Sequence, residues 1–157
     1  MTASRRSAPR TREPTAEEYE RLLEFRTRLR RFLHWSDEQA REQGLTAAQH
    51  QLLLAIKGHP DQVVGPSIRD VAGYLMLQHH SAVGLIDRAE AGGLVTRNPD
   101  PNNRSTVRLR LTDSGARRLE ALSGSHLEEV PRLAEAMRSL FADVDRSDGG
   151  ALLDRRD

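Results

Sequence analysis

The sequence predicts a mainly helical chain carrying one small β-hairpin, and three observations predict it. Ile68, Val71, Ala72 and Leu75 recur at i, i+3, i+4 and i+7, one face of a short helix. After Met76-Leu77-Gln78, the residues Ala82, Leu85, Ile86 and Ala89 repeat that pattern on a second helix. Then Val107, Leu109 and Leu111 alternate with Thr106, Arg108 and Arg110, the period of a half-buried strand. Leu94-Val95-Thr96-Arg97 precedes it as a partner strand, across the turn-forming run Asn98-Pro99-Asp100-Pro101-Asn102-Asn103. Helix, turn, helix and hairpin in that order make a winged helix-turn-helix, flanked here by long helices at both ends.

Each element has its own signal. Residues 1–14 are rich in Arg, Ser and Pro and read as a disordered basic tail. Thr15-Ala16-Glu17-Glu18 is a capping-box pattern, which starts a helix through Tyr19, Leu22, Phe25, Leu29 and Phe32 to about Gln43, ended by Gly44. Thr46-Ala47-Ala48-Gln49 opens a second helix, with Leu52, Leu53 and Ile56, that stops near Gly58-His59-Pro60. Pro66-Ser67-Ile68-Arg69-Asp70 is a third start signal. The second helix of the pair spans about His79 to Ala91 and closes at Gly92-Gly93. After the hairpin, Thr112-Asp113-Ser114 caps a long helix through Leu119, Leu122, Leu127 and Val130. Pro131 is expected to kink or interrupt it, with Leu133, Met137, Leu140 and Phe141 continuing the spacing. The expected organisation is a tail (1–14), an N-terminal dimerisation helix (15–44), a winged lobe (45–112), and C-terminal dimerisation helices with a tail (113–157).

Composition narrows the class. At 157 residues, 37 % apolar and 4 % aromatic, the chain fits one domain with helical extensions and a lean core. Leu22, Phe25 and Leu29 at one end, and Leu133, Met137 and Leu140 at the other, have little to pack against in one chain, so a homodimer is expected. The 24 basic and 23 acidic side chains nearly cancel, so net charge says nothing about nucleic acid. Their distribution says more: Arg5, Arg6, Arg10 and Arg12 make the tail basic, and Arg97, Arg104, Arg108 and Arg110 make the hairpin basic. The absence of cysteine excludes disulfides and thiolate metal sites. No apolar run reaches the length of a membrane span, and the N-terminus has no signal-peptide core, so a cytoplasmic protein is expected.

A winged unit has one common use, laying its second helix in the major groove of double-stranded DNA. With Ala82, Leu85, Ile86 and Ala89 inward, His80, Val83, Gly84 and Asp87 face outward, with Ser81 and Arg88 at the edge. His79, His80 and Ser81 open the helix and can donate to phosphates or base acceptors. Val83 can touch a thymine methyl, and Gly84 admits a close approach of the backbone. Arg88 suits a phosphate or a guanine, or else a salt bridge to a neighbour. Arg104 at the hairpin tip suits the minor groove. Ser67 and Arg69 suit the DNA backbone, or a plain cap and a surface charge. The six histidines show no metal-ligand spacing, and neither a metal nor a cofactor is expected. No nucleophile elbow, phosphate-binding loop or dinucleotide fingerprint occurs, so an enzyme is not expected.

The chain resembles the MarR family of bacterial transcriptional regulators over about Leu45 to Thr112. The resemblance is carried by Leu45-Thr46 with Gln49 and Leu52-Leu53, Ile68 with Asp70-Val71-Ala72, Leu85-Ile86-Asp87-Arg88, Gly93-Leu94-Val95, Asp100-Pro101 with Arg104, and Leu111-Thr112 with Gly115. It implies a homodimeric repressor of pseudo-palindromic operators, released by a small aromatic or apolar effector bound between lobes. Phe25, Phe32, His34, Trp35 and His50 lie on the helices that border that cleft in the family; aromatics at this spacing also serve as ordinary core. Two positions depart from the family pattern. Asn103-Arg104-Ser105 stands where Asp-Arg-Arg is usual, and Gly84 stands where a polar or basic residue is usual. These departures keep an alternative open, a winged-helix module that binds a protein partner and has lost its operator.

Overall fold

The computed structural model describes residues 13–142. The expected basic tail, apart from Glu13 and Pro14, and the charged stretch from Asp143 lie outside the described residues. In chain order the elements are α1 (Ala16–Glu42), α2 (Ala47–Lys57), α3 (Ile68–Tyr74), α4 (His79–Ala91), β1 (Val95–Pro99), β2 (Val107–Leu111) and α5 (Asp113–Phe141). They form two compact units. One comprises residues 32–132; the other comprises the described residues up to Arg31 together with those from Leu133. Among the described residues no helix is long and apolar enough to cross a membrane.

The helix starts follow local chemistry. Thr15, Thr46 and Ser67 each accept the amide of the residue three places on, and the side chains of Glu18, Gln49 and Asp70 reach back to the capping amide. Two orphan donors are thereby satisfied at each start. The helix ends share one device as well. Leu45, Leu77 and Leu94 donate back to the carbonyls of Ala40, Ala72 and Ala89, and the residue before each donor sits in the left-handed region. Two of those positions are glycines, Gly44 and Gly93, both at φ 67°. The third is Met76, at φ 52°, in the turn between α3 and α4, where a Cβ opposes the conformation.

The hairpin is antiparallel, with Val95 opposite Leu111 and Pro99 opposite Val107. β1 therefore runs on through Asn98 and Pro99, which the sequence reading had placed in the turn. Pairing with Arg108 and Val107 overrides the turn propensity of those two residues. The Pro66 carbonyl accepts from Leu109, and Ser67 bridges to Arg108, so the segment before α3 adds a short third edge. Beneath this hairpin, Leu52, Leu53, Ile56, Val71, Leu85, Ile86, Leu94, Val95, Leu109, Leu119 and Leu122 form one buried cluster. The α4 face expected to be buried, Ala82, Leu85, Ile86 and Ala89, is buried.

Of the kink or interruption expected at Pro131, the interruption does not occur. α5 is a single helix from Asp113 to Phe141 with Pro131 inside it. Pro131 is solvent-exposed, so its ring projects into water. The residues beyond it are held by the first half of α1. Arg28 Nη1 donates to the Ala136 carbonyl at 2.7 Å, and Phe25 meets Phe141 edge-on with ring centroids 6.0 Å apart. At its other end α5 starts against β1. Thr112 donates to the Leu94 carbonyl through its amide and to the Gly93 carbonyl through its hydroxyl. A Cβ on Gly115 would fall 2.1 Å from the Leu94 carbonyl oxygen, so only glycine fits there.

Two substitutions test these backbone constraints. Met76→Gly is expected to raise stability by about 1 kcal/mol in urea titration, because it removes the left-handed strain on an exposed side chain. Gly115→Ala is expected to lower stability by roughly 2–3 kcal/mol, since α5 must move away from β1 to admit the methyl group. An unchanged midpoint in either case would contradict the geometry.

Candidate nucleic-acid interface

Residues His79, His80 and Ser81, all exposed, open α4. Gln78 caps the helix without a side-chain hydrogen bond. Val83 and Gly84 follow, half-buried, and then Asp87 and Arg88, both exposed. Asp87 is not free. Its carboxylate receives Arg97 Nη2 at 2.5 Å, and Glu90 receives Arg97 Nη1. The Arg97 amide also donates to Glu90, at 3.3 Å. Partial burial opposes the charge on Arg97, and the two carboxylates outweigh it and raise its pKa. This strap fastens the outer face of α4 to β1.

The other hairpin arginines divide sharply. Arg108 Nε donates to Asp100 at 2.5 Å, and its Nη1 donates to the Gly65 carbonyl at 3.2 Å and stands 3.7 Å from Asp70. Asp100 is only 5 % exposed. The bond from Arg108, and then those from the amides of Asn102 and Asn103, hold its carboxyl below the usual value. Arg110 donates to the carbonyls of Gln62 and Val63. Only Arg104 remains: it is exposed at the hairpin tip, without an ion pair among the described residues. The basic hairpin expected from composition thus presents one free arginine. Asn103, the amide found where a carboxylate is usual, accepts both the amide and the hydroxyl of Ser105 and orders the tip.

Ser67 acts as the cap of α3: its hydroxyl donates to Asp70 at 2.8 Å. The Ser67 amide is the main reason that the Asp70 carboxyl lies below its ordinary value. Arg69 is exposed beside it, with no ion pair among the described residues. The tie from Arg108 to the start of α3 had no local signal in the sequence, since the Gly65 carbonyl that it holds is 43 residues away.

The aromatic set separates. Phe32, Trp35 and His50 converge on His126, which the sequence had not singled out for this cluster. Its ring centroid lies 4.7 Å from that of Trp35 and 4.9 Å from that of His50. His126 Nδ1 donates to the Leu122 carbonyl at 2.9 Å, and its Nε2 lies 2.7 Å from the Ser36 hydroxyl. Phe25 belongs to the other unit, and His34 is exposed beside Glu38 at 3.4 Å. Among the described residues no group of His, Asp and Glu could hold a metal ion. Burial first, and the neighbouring His126 second, push the His50 pKa below its ordinary value against the pull of Asp37. A depressed histidine pKa favours the fold above the unfolded value of about 6.5, and that contribution is lost as pH falls. The thermal midpoint is therefore expected to drop between about pH 7 and about pH 5.5, and to drop less in His50→Gln. Equal slopes in the two proteins would contradict this.

With that geometry in view, residues 43–104 match the sequence profile of the MarR family. BadR of Rhodopseudomonas palustris, described as a transcriptional activatory protein, is 36 % identical over 92 residues, which are 58 % of this chain and 52 % of BadR. The chain spans about half the length of the curated relatives it matches. The crystal structure of the MarR family transcription regulator SP03579 superposes with a TM-score of 0.64 at 18 % identity, over 85 % of this chain and 86 % of that one. A structure of Bordetella bronchiseptica BpsR, whose DNA binding is regulated by 6-hydroxynicotinic acid, superposes with a TM-score of 0.50 at 27 % identity, over 78 % and 83 %. Over residues 43–104, the stretch that carries the winged helix-turn-helix, the chain is thus similar to the MarR family.

Proposed function

We propose that this protein is a sequence-specific, DNA-binding transcriptional regulator that acts as a homodimer on pseudo-palindromic operators. The observation that carries this reading is the division of the arginines. Arg97, Arg108 and Arg110 are spent on building the lobe, while Arg88 on α4 and Arg104 at the tip stay exposed with no ion pair among the described residues. α4 then enters the major groove, with His79, His80 and Ser81 at its leading end, Val83 against a thymine methyl, and Gly84 on the same outward face. Arg104 enters the minor groove alongside. Ser67 and Arg69 lie at the DNA backbone, and Asp87 orients Arg97 at the rim of the contact.

Dimerisation is supported by apolar surface that the described residues leave uncovered. Tyr19, Leu22 and Leu23 on α1 are each more than half exposed, and Leu127 and Val130 on α5 stand open to solvent. Two lobes related by a two-fold axis present two α4 helices to successive major grooves. Repression follows where the operator overlaps a promoter. BadR is described as an activator, and operator position decides between the two outcomes. A small aromatic effector acts by favouring a lobe spacing that mismatches those grooves. The cluster of Phe32, Trp35, His50 and His126 supplies ring faces and imidazoles suited to such a ligand.

The test is fluorescence anisotropy of the purified protein on duplexes from upstream of its own gene, at several salt concentrations, beside a scrambled duplex. Tight binding with sequence selectivity and a steep salt dependence is expected. Arg104→Ala is expected to weaken every duplex and to lower the salt slope by about one. Absence of selectivity there and in a genome-wide selection of bound fragments would overturn the reading and favour a winged module for a protein partner.

A further inference from the structure

Gly84 and Arg88 form one feature of α4. A Cβ built on Gly84 would lie 3.5 Å from Arg88 Nη1. The arginine head thus lies over residue 84, in van der Waals range of the place that a Cβ there would take, so a longer side chain at that position would meet it. Helix geometry explains how: side chains lean toward the N-terminus, so residue 88 covers the turn that contains residue 84. Position matters as much as proximity. At about 100° per residue, Gly84 sits within about 40° of His80, near the middle of the outward face, while the Arg88 backbone lies about 80° from His80, at the edge. An edge residue meets phosphates and a central one meets base edges. By folding over Gly84, the guanidinium moves from the first kind of place to the second.

The remaining requirement is that the charge be available. The carboxylates of α4 are those of Asp87 and Glu90, and Arg97 engages both. Arg88 is therefore exposed and has no ion pair among the described residues. Resting on the DNA-binding reading above, we propose that Arg88 is the specificity-determining residue of α4. It reads a guanine in each half-site by paired hydrogen bonds to O6 and N7, through the opening that Gly84 leaves. Arginine is the side chain whose planar fork matches those two acceptors.

The experiment is a selection of bound duplexes from a randomised pool, made with the full chain as wild type, Arg88→Ala, Arg88→Lys and Gly84→Gln. Arg88 is exposed, so the variants are expected to fold as wild type, checked by far-ultraviolet circular dichroism and the thermal midpoint. The wild type is expected to enrich a two-fold motif with one guanine per half-site that depends on Arg88. Arg88→Ala should lose preference at that position alone and bind the selected duplex about 10- to 100-fold more weakly, with a much smaller loss on a scrambled duplex. Arg88→Lys should keep affinity for the scrambled duplex yet lose the guanine preference. Gly84→Gln should blur the same position although Arg88 is intact, because the new side chain displaces the guanidinium. If Arg88→Ala instead weakens selected and scrambled duplexes equally and leaves the motif unchanged, Arg88 is a phosphate contact and the inference is overturned, while the regulator reading stands. A wild-type pool that enriches no motif overturns both.

Discussion

The placement of the Arg108 guanidinium is the constraint on which the joint between the hairpin and α3 depends. Two parts of the chain meet on it: the neighbouring hairpin loop through Asp100, and the distant stretch at the start of α3 through the Gly65 carbonyl and Asp70. Asp100 is almost wholly covered by protein, and a covered carboxylate needs both a cation and hydrogen-bond donors. Arg108 supplies the cation, and the amides of Asn102 and Asn103 supply the donors. The turn that carries Arg104 outward is thereby folded around Asp100. The same guanidinium ties that turn to the Ser67 cap, because Asp70 is shared between them. Removing Arg108 would leave one buried carboxylate without its cation and uncouple the hairpin from α3.

Arg97 does comparable work with different energetics. Its pairs with Asp87 and Glu90 lie nearer to solvent, and exposed ion pairs contribute little stability, on the order of 0–1 kcal/mol. Their consequence is positional. They connect β1 to the outer face of α4, and they engage the carboxylates of Asp87 and Glu90 on that helix. Formal charge is thus a poor guide to this surface. Four arginines lie in or beside the strands, and the fold leaves one of them, Arg104, free to meet a ligand.

The parts of the fold that were legible in the sequence are those whose cause is local. Capping boxes at Thr15, Thr46 and Ser67 depend on side chains three residues apart, and each helix begins where its box predicts. The limits of α4 follow from apolar spacing and the Gly92-Gly93 stop. The misplaced elements are those decided by partners. β1 extends through Asn98 and Pro99 because a strand across from them offers pairing. α5 passes Pro131 because α1 holds the residues beyond it. At the candidate interface the outward face of α4 was readable from its period. The assignment of each arginine to a carboxylate, a carbonyl or solvent was not, since Arg110 and the Val63 carbonyl it holds are 47 residues apart. His126 was missed for the same reason, standing 90 residues from the Ser36 hydroxyl that fixes its ring.

The double fastening of the hairpin, to α4 through Arg97 and to α3 through Arg108, removes internal degrees of freedom from the lobe. These links connect the helix that would read bases to the loop that would grip the neighbouring groove. In the proposed dimer, a regulatory signal would act by translating or rotating each lobe. Such a motion changes the distance between half-sites and leaves the lettering of each half-site untouched. Affinity and sequence preference become separable properties: the first is tunable by a ligand, and the second is built into the covalent sequence.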